Sequence, residues 1–182
     1  MKRYKKLFRY RFVFLAVVLL GGILLAFLPH YPHLSELIPF RKGDTELYFV
    51  SPPTDVSIGD SINLEVHVKT GREAINAIGI VINYDPTILQ ISSMTTSQSF
   101  CFFYTDNTFD NIKGEIRISC GAPSPGFTGD STIIQAKLRV RKIGITEIKV
   151  NPASSQVLAN DGKGTNLLSS YPKLTISSKQ IL

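Results

Sequence analysis

Tryptophan is absent from this chain of 182 residues, histidine occurs three times and cysteine twice. Each scarcity removes a class of function. Without Trp the strongest stacking platform for sugars is missing. A catalytic centre needs a nucleophile, a base and an orienting group, or a metal set, and the histidines supply neither. His30 and His33 form an H-x-x-H interrupted by Pro32 with no third ligand nearby, and His67 falls on the wet side of an alternating segment. Two cysteines with no His cluster beside them make no zinc site. Charged residues are only 19% of the chain against 43% hydrophobic, too apolar a balance for a disordered tail. Helical periodicity is missing after residue 44, which excludes an α/β layout for want of crossover helices.

The net charge of +6 is misleading as a sign of nucleic-acid binding. Lys2, Arg3, Lys5, Lys6, Arg9 and Arg11 account for all of it, leaving 14 basic and 14 acidic groups in residues 12–182. No nucleic-acid partner is expected. After this basic segment, residues 12–28 run for 17 positions without a charged or hydrogen-bonding side chain, thirteen of them Phe, Val, Leu or Ile. At about 1.5 Å per residue a helix there spans most of a hydrocarbon core of about 30 Å, with Arg9 and Arg11 able to snorkel. The run is read as a transmembrane helix in the lipid bilayer. A cleaved signal peptide shares the charged start, but Ala26-Phe27-Leu28-Pro29 lacks the paired small residues of a cleavage site, which favours an uncleaved anchor. The cations before the helix keep the amino terminus cytoplasmic and send the rest outside, as a single-pass cell-membrane protein with an extracellular carboxy-terminal domain. Residues 29–44, with Pro29, Pro32 and Pro39, read as a spacer.

From Thr45 the periodicity becomes two. Ile62, Leu64, Val66 and Val68 alternate with Asn63, Glu65, His67 and Lys69; Ile134, Ala136, Leu138 and Val140 alternate with Gln135, Lys137, Arg139 and Arg141. Ile116, Ile118 and Cys120 repeat the pattern in 114–121. Further strands are expected at 46–51, 75–84, 89–93, 100–104, 146–150, 156–159 and 173–177. Short strands punctuated by Pro-Pro, Asp-Pro and Asp-Gly predict an all-β, two-sheet antiparallel sandwich.

Cys101 and Cys120 lie in the compartment that permits oxidation. A hairpin placing Phe103 opposite Ile118 also places Cys101 opposite Cys120, so a disulfide and two separate, partly buried thiols both remain open. The segment 160–166, NDGKGTN, lacks the ligand spacing of an EF-hand and the Gly-Lys-Ser/Thr of a P-loop. It reads as a tight turn, with calcium near Asn160 and Asp161 as the one alternative and no other cofactor or metal expected. Alternation in the run Phe100 to Tyr104 puts most of its aromatics in the core. Tyr104 and Phe127 are the candidate glycan platforms. No N-x-Ser/Thr sequon occurs, which fits a prokaryotic host.

The residues IGIVINYDPTILQI at 78–91, with VSIGD at 56–60, GEIRISCG at 114–121, TGDSTIIQAKLRVRKIGITEIKV at 128–150 and VLANDGKGTNLL at 157–168, resemble a cohesin domain in order and spacing over residues 45–178. The resemblance implies a jelly roll of about nine strands, similar in fold to one class of carbohydrate-binding module, and a non-enzymatic binding role. In cellulosome scaffolds cohesins capture the dockerins of cellulases, which links the family to extracellular polysaccharide breakdown. Where dockerin-binding members show polar contact residues on the exposed side of the strand before Tyr84-Asp85-Pro86, alternation here places Ala77 and Gly79, with Asn83 the one polar member. A lone copy behind its own anchor points to surface adhesion or assembly. A protein partner, dockerin-like, surface-borne or secreted, is expected on a flat strip of Ala77, Gly79, Asn83, Arg139 and Arg141; a polysaccharide is the alternative ligand. Residues 179–182 are a tail.

Overall fold

The computed structural model describes residues 45–50 and 52–180. The expected bilayer helix at 12–28, the basic segment and the spacer lie outside these residues; among the described residues no helix is long and apolar enough to cross a membrane. Eleven strands form two sheets: β1 (Glu46–Val50), β2 (Asp55–Ser57), β3 (Ser61–Lys69), β4 (Ile75–Asn83), β5 (Leu89–Thr95), β6 (Phe103–Asp110), β7 (Glu115–Gly121), β8 (Asp130–Val140), β9 (Gly144–Val150), β10 (Gln156–Ala159) and β11 (Lys173–Lys179). The smaller sheet has the order β1-β3-β8-β5. The larger runs β2-β11-β9-β4-β7-β6, with β10 paired beside β4.

Alternation explains the core. Ile62, Leu64, Val66 and Val68 of β3 and Ile134, Ala136, Leu138 and Val140 of β8 are buried from the smaller sheet, and Ile116, Ile118 and Cys120 of β7, beside Ile78, Ile80 and Ile82 of β4, from the larger, all as their period requires. Each large aliphatic contributes about 1.5–3 kcal/mol by leaving water. A bulge between Val66 and His67 lets two consecutive residues of β8, Ile133 and Ile134, both be buried. Among the described residues every core side chain lies between Leu47 and Ile176, and a unit that carries its own hydrophobic core can fold alone.

The YDP turn is a structural node. Asp85 accepts hydrogen bonds from the Thr87 amide (2.8 Å) and hydroxyl (2.7 Å), closing an Asx turn. Buried Tyr84 donates its hydroxyl to Asn111 Oδ1 at 2.8 Å, and the same amide accepts from Ile91 N and donates to Ile91 O. Asn111 thus satisfies the free edge of β5 and ties it to the β6–β7 turn. Gly114, with φ of 70°, lets that turn approach: a Cβ there would lie 2.1 Å from Tyr84 O.

Three expectations are corrected. The strand expected at 100–104 lies at Phe103–Asp110, because the hairpin registers Phe103 with Gly121 and Tyr104 with Cys120 instead of Phe103 with Ile118. Its sequence, FYTDNTFD, has no apolar alternation since β6 is an edge strand largely exposed on both faces. The sheets are not wholly antiparallel, as the short strand β2 pairs parallel to β11. Nor is most of the aromatic run core: it divides evenly, with Phe102 81% and Phe103 53% exposed while Phe100 and Tyr104 pack against the core.

Candidate protein-binding face

The outer face of the larger sheet is assembled by register. Across it run Phe103, Gly121 and Ala77; then Asp106, Ser119 and Gly79; then Thr108, Arg117 and Val81; then Asp110, Glu115, Asn83 and Lys149. Its middle is therefore floored by the smallest side chains in the two central strands, Ala77, Gly79, Ser119 and Gly121. A Cβ built on Gly79 meets only Gln156 Cγ, at 3.8 Å, so nothing rises above the backbone there. At Gly121 the space is already taken, because the Phe103 ring lies over the glycine with its Cζ 2.5 Å from where a Cβ would be.

Paired charges surround this floor. Arg117 donates through Nε to Asp106 (3.0 Å) and through a terminal nitrogen to Glu115 (3.2 Å), and Thr108 donates to Asp106 at 2.8 Å. The guanidinium, then the hydroxyl, hold the Asp106 carboxyl below the usual carboxylate range. Glu147 takes both Lys149 and Lys173 within 4 Å. Exposed apolar side chains sit at two corners, Phe103 on β6 and Ile145 on β9. A shallow hollow of ≈ 340 Å³ lies beside Ile145, bounded by Asn83, Asp85, Glu147 and Lys149. A flat floor with apolar corners and a satisfied polar rim can seat another protein with little desolvation of unpaired charge.

The five residues expected to form one strip do not form one. Ala77, Gly79 and Asn83 share the outer side of β4, all half-buried, with β10 flanking the first two. Val81, between them in period, is covered: its amide donates to Ser155 Oγ at 3.0 Å, and its carbonyl accepts from Asn151 N. Arg139 lies on β8 and Arg141 just beyond it, in the other sheet, so they project from the opposite side of the sandwich. Alternation says whether a residue points in or out; it does not say to which sheet its strand belongs. Arg117, Ser119 and Asp106, which reasoning from the sequence did not single out, complete the face. The outward positions of GEIRISCG, next to β4 in the resemblance, were the available signal.

The glycan platforms are corrected as well. Tyr104 packs against the core with its hydroxyl buried and unpartnered, and Phe127 stacks on Phe100 with ring centres 4.4 Å apart. Neither presents an open ring. Cys101 and Cys120 are joined as a disulfide, with Cα atoms 5.8 Å apart, which pins the segment before β6 to β7. At the 160–166 turn Asp161 accepts from Lys163 N and Thr165 Oγ1, and Asn160 donates to Pro125 O, so these side chains close the turn on itself. Among the described residues no group of three or more His, Cys, Asp or Glu is placed to hold a metal ion.

His67 is not simply solvated. On the outer side of β3 it meets Tyr48 (ring centres 5.1 Å), Asp130 (3.2 Å) and Thr132 (3.1 Å). Tyr48 donates to Asp130, which pushes the phenol pKa up to about 12 and holds Asp130 below its usual range. These groups satisfy one another.

The fold has known counterparts. A cohesin module of a family 33 glycoside hydrolase from Clostridium perfringens superposes with a TM-score of 0.61 at 12% identity, covering 76% of this chain and 99% of the other. The third ScaC cohesin of Acetivibrio cellulolyticus, solved in complex with the ScaB dockerin, gives 0.62 at 16% identity over 74% and 98%. A non-cellulosomal cohesin from the archaeon Archaeoglobus fulgidus gives 0.57 at 16% identity over 75% and 91%. No match was found among curated proteins. The cohesin domain profile matches residues 50–173, and this chain therefore belongs to the cohesin domain family.

Proposed function

We propose that this protein is a non-catalytic, membrane-anchored cohesin that captures dockerin-bearing proteins at the outer surface of the cell. The observation that carries the reading is the outer face of β9, β4, β7 and β6, with its low floor of Ala77, Gly79 and Ser119 bordered by the Phe103 ring and a rim of paired charges. Family membership supports a dockerin as the partner, since cohesins of this fold are solved with dockerins bound. The apolar run at 12–28 behind six cations supports the anchor and its orientation, and makes residues 45–178 the displayed module. A cohesin module on a membrane tether serves to hold a partner at the cell surface, in surface assembly or in polysaccharide breakdown outside the cell.

Two experiments test this. Dockerin modules from the source organism's secreted proteins are titrated calorimetrically against residues 45–182: at least one binds, and Gly79→Arg weakens that binding by about thirtyfold or more. A panel in which none binds overturns the partner. Protease shaving of intact cells removes the module; survival of an intact module on shaved cells overturns the topology.

A further inference from the structure

On the smaller sheet the charges are arranged differently. Lys137 and Arg139 are exposed at alternate positions of β8, and Arg141 continues the alternation beyond its end. Successive members are about 6.6–6.8 Å apart along an extended chain, so the three span about 13 Å. Among the described residues none of them has a carboxylate within 4.0 Å, whereas Arg117, Lys149 and Lys173 on the larger sheet are each paired. Arg141 donates instead to the neutral side-chain carbonyl of Gln90. The two acids nearest the strip are engaged elsewhere: Asp60, whose carbonyl accepts from Val140 N, turns its carboxylate to Ser57 N (2.8 Å), and Glu65 is held by Gln135 (3.1 Å) and His67 (3.4 Å). Three like charges in a row repel one another, and among the described residues no carboxylate pairs with them.

The strip's neighbours are hydroxyls and amides. Arg139 stands between Ser61 of β3 and Gln90 of β5, and Lys137 between Asn63 and Ser93. On β3 and β5 no exposed apolar side chain and no aromatic ring is registered with Lys137 or Arg139, so no ring is offered for a nucleic-acid base to stack on; the exposed aliphatics at the far end of the strip, Ile143 two positions beyond Arg141 and Ile58 on the neighbouring turn, are too little apolar surface to seat a lipid. Cations at a regular spacing, bordered by neutral hydrogen-bonding groups, suit a linear ligand that carries repeated anions among many hydroxyls. We infer that the outer face of the smaller sheet binds an acidic polysaccharide along β8 through Lys137, Arg139 and Arg141. This site lies on the opposite sheet from the protein-binding face and does not depend on it.

The test is affinity electrophoresis of residues 45–182 in native gels cast with polygalacturonate, with uncharged hydroxyethyl cellulose, or with duplex DNA. Polygalacturonate retards the wild type and hydroxyethyl cellulose does not. Each Gln substitution at Lys137, Arg139 or Arg141 weakens retention about threefold, and the triple variant about thirtyfold, at low salt. Lys113→Gln, in the turn between β6 and β7 of the other sheet, leaves retention unchanged. Because the three side chains are exposed, thermal melts of the variants match the wild type. Free migration of the wild type through polygalacturonate, retention of the triple variant, or equal retardation by DNA overturns the inference.

Discussion

Gly79 separates binding from stability. It sits in the middle of β4 without a positive φ, and a Cβ added there makes one ordinary contact, 3.8 Å to Gln156 Cγ. Gly79→Ala is therefore free of strain, and it narrows the conformations open to the unfolded chain, a gain of about 0.4–1 kcal/mol. For a unit of this size that raises Tm by about 1–4 °C. Gly79→Arg keeps the backbone gain and adds a long side chain that extends into solvent. On the binding side the same change is severe. Its neighbours in register are Ser119 and Gln156, with Ala77 and the Phe103-covered Gly121 in the next row, so the guanidinium rises from the low strip beside the Phe103 ring. A partner seated on that floor loses close contact at its centre, where hot spots concentrate, at a cost of at least ~2 kcal/mol, or about thirtyfold in Kd. Calorimetric titration of a captured dockerin, beside a thermal melt of each variant, reads both quantities. Unchanged affinity with Gly79→Arg places the partner elsewhere; a fall in Tm of more than about 5 °C for Gly79→Ala refutes the account of the glycine itself.

Gly114→Ala has the opposite signature, because φ of 70° and a Cβ 2.1 Å from Tyr84 O demand movement of backbone; a loss of more than about 2 kcal/mol is expected in urea unfolding, and an unmoved midpoint contradicts it. Replacing Cys101 and Cys120 together by Ala releases a loop with a sequence separation of 19 and costs about 3 kcal/mol, and the wild type under reductant shows a fall of the same order. Stability is bounded by pH on both sides. Asp85, held down by Thr87, Asp106 by Arg117 and Asp130 by Tyr48 contribute stability that is present above about pH 4 and is lost as pH falls through their depressed folded values. Tyr48, raised chiefly by its bond to Asp130, and Tyr84, raised by burial, go from 10.0 to about 12, so their contribution is intact below pH 10 and lost as pH rises toward 12. Urea midpoints measured across pH 2–12 check both limbs; a curve flat from pH 4 down to pH 2 removes the acid one.

What the sequence made legible was the pattern of burial, and it did so wherever a strand is buried on one side. In β3 and β8 the aliphatic residues and their polar alternates identify inside and outside without ambiguity, and the core follows them. β6 was not legible because an edge strand exposed on both faces has no reason to alternate, and the aromatic cluster just before it imitated a strand that the disulfide holds instead. β2, three residues long, depends wholly on pairing with β11 from the far end of the chain. The candidate site was half legible. Ala77, Gly79 and Asn83 share a face as expected, but Arg139 and Arg141 belong to the other sheet, a matter of long-range pairing that local periodicity does not encode. Arg117 and Asp106 come together only once β6 and β7 are in register.

That division between sheets has a consequence for how two ligands behave together. The β4 floor and the β8 strip stand back to back across the core, with Ile80 and Ile82 on one side and Leu138 and Ala136 on the other, all buried. Interiors packed this closely do not deform continuously, so an occupant of one face changes the other only if the sandwich has a second discrete arrangement. The charges give little such coupling, because Arg117 is paired with Asp106 and Glu115, which leaves that group with a single net negative charge, and the β8 cations face away from it across the sandwich. Dockerin affinity is therefore expected to be the same with and without saturating polygalacturonate, and polygalacturonate retention the same with and without bound dockerin, since coupling between two sites is reciprocal. Calorimetric titration of the dockerin in polygalacturonate measures the first and affinity gels of the preformed complex the second. A shift of fivefold or more in both, about 1 kcal/mol of coupling, shows that the two sheets move against each other on binding, and the rigid sandwich described above is then the wrong picture of the protein in solution.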